Sequence, residues 1–184
     1  MRLSCIARRR GVFLWTLLMS LWPGLVTAQD DPAAPLPPVV AEVIVRDDLE
    51  DVWLDWTTSE GLSAVMGTLA HVDPDLKPRG LYEVLFLPDA PEGERGAEKG
   101  AILAVEPKKM ISFTWKQPPY MPIGENYTFV QLFFEPVGEN ETRLRLYNWG
   151  WGTSPDWKKA RAYFAQSWPA VLDMYQKQKA AQAE

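Results

Sequence analysis

VVAEVIVRDDLEDVWLDWTTSEGLSAVMG, residues 39–67, changes periodicity twice within one stretch. Val39 to Val45 is apolar with a β-branched bias, which predicts a strand. Asp47 is placed to start a helix, with Glu50 three residues on in a capping-box pattern. Leu49, Val52, Trp53 and Trp56 follow at helical spacing. Thr57 and Glu60 repeat the capping pattern and open a second short helix through Leu62, Val65 and Met66. Gly67 can end that helix in a left-handed conformation.

Working outward, the chain becomes a series of short strands bounded by turn chemistry. They are read at Thr68–Val72, Leu81–Leu87, Ala101–Glu106, Met110–Lys116, Tyr127–Glu135 and Thr142–Asn148. In Met110–Lys116, Ile111, Phe113 and Trp115 alternate with Ser112, Thr114 and Lys116, the pattern of a sheet with one buried face. A long helix follows. Ser154 is a candidate N-cap, Pro155 suits the first helical position, and Asp156 complements the positive helix end. Trp157, Phe164 and Val171 share a face with Ala160, Trp168 and Tyr175. Pro169 should kink the helix by leaving the carbonyl of Ala165 without a partner. The order predicts an α+β fold: a curved seven-stranded antiparallel sheet wrapped around the long C-terminal helix, with two short helices after the first strand. A space between sheet and helix would be lined by rings from both.

Before residue 39 the chain is of another kind. Arg8-Arg9-Arg10 precedes an apolar run from Gly11 to Trp22, and Val26-Thr27-Ala28 offers small residues before Gln29. This is the pattern of a cleaved signal peptide over 1–28. The run is shorter than the ~20 residues that span hydrocarbon, and Pro23-Gly24 breaks it. Arg9-Arg10 before Gly11-Val12-Phe13 matches a twin-arginine signal only loosely, so the general secretory route is expected. The mature protein would be periplasmic or secreted, without stable membrane insertion. Residues 29–38, with four prolines, read as a linker, 39–178 as the folded domain and 179–184 as a tail.

Setting the signal apart changes the chemistry. The whole chain has 19 basic and 24 acidic residues. Without the signal's four arginines, 15 basic residues face 24 acids, a net −9, and the single cysteine, Cys5, is gone. That excludes a disulfide framework, a thiolate nucleophile and a cysteine zinc site from the mature chain. Net acidity argues against nucleic-acid binding. No glycine-rich phosphate loop or hydrolase nucleophile motif is present, one histidine with scattered acids makes no metal set, and no cofactor is expected.

Four segments together carry a resemblance: VIVRDDLEDVWLDWTTSEGL (43–62), PRGLYEVLF (78–86), KGAILAVEPKKMISFTW (99–115) and ETRLRLYNWGWG (141–152), followed by a helix with a tryptophan in its middle. They resemble the SRPBCC (START-like, helix-grip) superfamily, and within it the branch named after the activator of heat-shock-protein-90 ATPase. The resemblance implies a helix-grip cavity that takes apolar molecules. The chain departs from the family at Asp47-Asp48, where a proline is common, near Met66, where a tryptophan is, and at Arg79-Gly80, where two glycines are. An exported chain would meet no cytosolic ATPase, so the branch's name is not carried over as an activity.

The candidate ligand-binding residues are His71, Trp115, Tyr120, Met121, Trp149, Phe164 and Trp168. His71 is the only side chain titrating near neutrality and a weak catalytic candidate; it also reads as an ordinary strand-end residue. Trp53 and Trp56 read as core, and Trp149 and Trp151 either pack under the last helix or rim an opening. The loop Gln117–Gly124 is a gate or a plain proline-rich connector. Glu83 is assigned to the wet face, and EGERGAEK (92–99) to a solvated hairpin loop. The leading expectation is an exported protein that holds an apolar or aromatic small molecule without catalysis. The alternatives are a cyclase- or hydrolase-like enzyme using His71, and a protein-interaction module of the cell envelope. The oligomeric state is open.

Overall fold

A computed structural model describes residues 34–182, apart from 122, 124 and 125. The signal-like segment and the first part of the linker lie outside the described residues.

Strand β1 (Val39–Val45) alternates buried and exposed along its whole length, as its apolar pattern requires. Helices α1 (Leu49–Thr57) and α2 (Ser59–Met66) follow. Each starts one residue later than the capping patterns predict. Asp48, not Asp47, caps α1, accepting from the Asp51 N–H at 2.9 Å. Asp47 is drawn instead to the ammonium of Lys179, 2.6 Å away on the last helix. Thr58 caps α2 through the Gly61 N–H, while the Thr57 hydroxyl donates back to the carbonyl of Trp53. Gly67 ends α2 at φ +65°, a left-handed position.

The remaining strands are β2 (Leu69–Val72), β3 (Tyr82–Leu85), β4 (Gly96–Ala97), β5 (Ile102–Glu106), β6 (Met110–Lys116), β7 (Tyr127–Gly138) and β8 (Glu141–Trp149). They form a five-stranded antiparallel sheet, ordered β1-β8-β7-β6-β5, and a three-stranded one, ordered β2-β3-β4. The single sheet expected from the sequence is therefore regular only in two blocks. Between them run one bridge, Leu81 to Ala101, and hydrogen bonds from Tyr82 N–H to Gly100 and from Ile102 N–H to Gly80. Gly100 sits at this junction. A Cβ there would lie 2.1 Å from the Tyr82 carbonyl oxygen, so the backbone passes too close for a regular ladder.

Helix α3 (Pro155–Gln182) covers the buried face and runs past Gln178, where the domain was expected to end. Ala160, Phe164, Trp168 and Tyr175 are buried as the periodicity predicts, Leu172 joins them, and Trp157 and Val171, expected on the same face, are half-buried. The helix continues through Pro169, and Pro169 and Ala165 both lie on the exposed side, where water can serve the unpaired carbonyl. Arg161 donates to the carbonyls of Pro37 (2.7 Å) and Pro38 (3.1 Å), pinning the end of the proline-rich segment onto α3. At the other end Lys179 sits between Asp47 and Asp55, and the Tyr175 hydroxyl donates to Asp55 at 2.7 Å.

Candidate functional site: a ring-lined cavity under the first half of the last helix

The buried face of β6 carries Phe113 and Trp115, two residues apart and therefore side by side. Trp115 meets Trp168 of α3 with ring centroids 5.0 Å apart, and Phe113 stacks on Tyr82 at 3.8 Å. Beyond this contact, sheet and helix diverge around a cavity of about 280 Å³. Met66 closes one side, Gly96-Ala97 another, and Tyr163, Phe164, Ser167, Trp168 and Val171 supply the helix wall. The loop after β6 adds Pro118, Pro119 and Tyr120. Rings continue from interior to mouth: Trp168 to Phe164 (6.0 Å), Phe164 to Tyr163 (5.1 Å), Tyr163 to Tyr120 (6.3 Å). The last two pairs are edge-to-face, a favourable arrangement for aromatic quadrupoles. Tyr120 is 70% and Phe86 51% exposed, so the mouth is apolar yet open to water.

Polar groups hold the frame. Asn148 is fully buried: its side-chain carbonyl accepts from the Trp168 indole N–H at 3.0 Å, and its amide donates to Phe129. Its backbone carbonyl accepts from the Trp151 indole at 2.7 Å. Glu98, also buried, binds the Arg95 guanidinium at 2.7 Å. Burial alone would raise its pKa, but hydrogen bonds from Arg95 and from the backbone outweigh that and hold the carboxyl below the usual glutamate range. The Lys116 ammonium donates to the Gly93 carbonyl at 3.2 Å. The Tyr163 hydroxyl beside Tyr120, with partial burial, pushes the Tyr120 phenol up to about 12, so that group is neutral at physiological pH.

Of the residues singled out from sequence, Trp115, Tyr120, Phe164 and Trp168 line this cavity together. Met121 packs half-buried against the core beside it. Trp149 does not reach it. By alternation with the buried Asn148, its ring falls on the outer face of β8, stacked on Tyr147. Trp151 is the one that packs beneath the helix, against Trp157 and Phe164. His71 also lies outside the cavity. Its side chain is 45% exposed on the outer side of β2, where Nδ1 meets Glu83 at 3.0 Å. Glu83 points to the same side of the sheet as His71, as alternation indicates, but its side chain is only 12% exposed, held by His71 and the Lys99 N–H.

The charged run 92–99 corrects the expectation of a solvated loop: Gly96, Ala97 and Glu98 are buried, and residues 94–97 form a cavity wall. Gly96 makes this possible. At φ +139° it lies against Val84, where a Cβ would sit 2.7 Å from the carbonyl oxygen. Asn148 was the readable omission, since the alternation of Leu144 and Leu146 places it on the buried face and a buried amide needs partners. Asp47, Asp48 and Asp51 bring carboxylates within 4.8 Å of one another, but Asp48 serves as a cap and Asp47 pairs with Lys179, which accounts for the cluster.

Sheet, gripping helix and intervening cavity define a helix-grip protein of the SRPBCC class. Residues 48–177 match the family model described as Activator of Hsp90 ATPase homolog 1-like protein, and the chain belongs to that family. No curated protein sequence matches significantly. Among solved structures, a protein from Mesorhizobium loti is similar with a TM-score of 0.61 at 20% identity, covering 80% of this chain and 98% of that one. An HSP90 activator from Plasmodium falciparum follows at 0.56 and 19%, covering 73% and 89%. DynU16, a protein of the dynemicin biosynthetic locus, gives 0.51 and 16%, covering 79% and 49%.

Proposed function

We propose that this protein is exported and binds an apolar or aromatic small molecule in the cavity between β6 and α3, without transforming it. The observation that carries the reading is the cavity itself: about 280 Å³ left open in an otherwise packed interface, with six aromatic rings in its lining. A void of that size costs stability unless something fills it, and apolar burial returns about 25 cal/mol per Å². Exposed Phe86, Leu87 and Tyr120 at the mouth are what a ligand would cover.

The hydrolase-like alternative loses its base, because the His71–Glu83 pair faces away from the cavity. The interaction-module alternative keeps one supporting observation. Val40, Phe129 and Phe133 are exposed on the outer sheet face near Trp149. Native mass spectrometry of the protein purified from its own cell envelope separates these readings. A co-purifying small molecule supports binding, an apo mass with a stable protein partner supports the interaction module, and an intact mass starting at Gln29 checks export.

A further inference from the structure

The charges around the cavity are unequally committed. Arg95 is bound through Nε to the buried Glu98, and the Lys116 ammonium is engaged with the Gly93 carbonyl and is not free. Glu94 also lines the cavity, is exposed, and makes no ion pair among the described residues. Around it stand Phe86, Trp115, Tyr120, Tyr163, Phe164 and Trp168. The face of each such ring is negative, so several rings around one space favour a cation over an anion of equal size. The remaining uncommitted charge at the mouth is a carboxylate, and the whole chain, at −5, adds a field of the same sign.

We infer that the cavity's ligand is an aromatic or alkyl cation of the quaternary-ammonium type. Its apolar body would fill the space beside Trp115 and Trp168, and its charge would lie among Phe86, Tyr120 and Tyr163 near Glu94. This rests on the reading that the cavity is a ligand site. Arg95 does not oppose it, since a guanidinium already paired with a carboxylate presents little net field, and Lys116 stands as one positive charge against Glu94, so the preference rests chiefly on the rings.

The test is a titration of the full chain with phenyltrimethylammonium, benzenesulfonate and tert-butylbenzene, followed by tryptophan emission, because Trp115 and Trp168 line the cavity. The cation should bind about tenfold tighter than the sulfonate. Glu94→Gln should narrow that preference about threefold, a small effect because the carboxylate is exposed and screened. Phe86→Leu with Tyr163→Leu keeps the wall apolar but removes two π faces, and should narrow it about fivefold. Both sites are exposed, so folding is not at risk. The inference falls if the sulfonate binds as tightly as the cation, or if the preference survives both sets of substitutions. It also falls if tert-butylbenzene binds and the cation does not, which leaves the apolar-cavity reading standing. Failure of all three probes overturns both.

Discussion

Between Pro155 and Trp168, α3 turns Tyr163, Phe164, Ser167 and Trp168 toward a cavity. From Leu172 to Lys179 the same helix is fully engaged. Leu172 and Tyr175 are 1% exposed, Tyr175 meets Trp56 edge-to-face at 5.6 Å, and Lys179 is held by two carboxylates. The first stretch carries four aromatic residues, Trp157, Tyr163, Phe164 and Trp168, against Tyr175 alone in the second, and the facing elements differ too. The second half meets Trp56 and Asp55 of α1 and Asp47 before it, whereas the first meets β6 and β8 through Trp168 and has loops and the two-residue strand β4 across the cavity. A helix thus grips firmly at one end and roofs a void at the other.

Substitutions at matched tryptophans test that contrast most strongly. Trp56→Ala should cost about 3–5 kcal/mol, the full price of a new core cavity. Trp115→Ala, which enlarges an existing one, should cost visibly less in the same urea denaturation series. Equal losses would mean that the first half is packed as firmly as the second.

Lys179→Ala should cost about 1–2 kcal/mol, discounted for partly exposed partners. Burial lowers the lysine's pKa, but the two carboxylates outweigh it and hold it above 10.5. The pair's contribution is therefore complete below pH 10.5 and lost as pH rises through the folded value. Thermal melts across the alkaline range should show a loss in the wild type that the alanine variant lacks.

At the cavity end the dependence has the opposite sign. Glu98 is held below 4.5, so its contribution is present above that pH and fades as pH falls through its lower folded value. Acid melts should be steeper for the wild type than for Glu98→Gln, whose loss is already taken at neutral pH. The smallest effect on stability is expected from Ser167→Trp, within about 1 kcal/mol because the new ring enters open space. The same variant should abolish binding of tert-butylbenzene, and retained binding would place the ligand elsewhere.

How much of this was legible in the sequence follows from the range of the forces involved. The bounds of β1 and β6 match the reading, and β1 alternates strictly, but in β6 Ser112 and Lys116, expected on the wet face, are buried as well. The helix starts slipped by one because Asp47 answers to Lys179, a contact across most of the domain that no local capping pattern contains. Four of the seven candidate residues meet in the cavity: strand and helical periodicity place Trp115, Phe164 and Trp168 on inward faces, while Tyr120 comes from the loop after β6. Trp149 went astray because Gly150, at φ +89°, breaks the alternation that links it to Trp151. The wall at 94–97 was hidden by its charges, which say solvent, while Gly96 says close backbone contact.

The pairing of β1 with β8, Val39 opposite Asn148 through Val45 opposite Thr142, has a consequence for how the chain comes into being. The first strand to be synthesised cannot find its neighbour until more than a hundred residues later, and the concave apolar face waits for α3, which is made last. Folding dominated by such distant pairings is slow and leaves hydrophobic surface bare meanwhile.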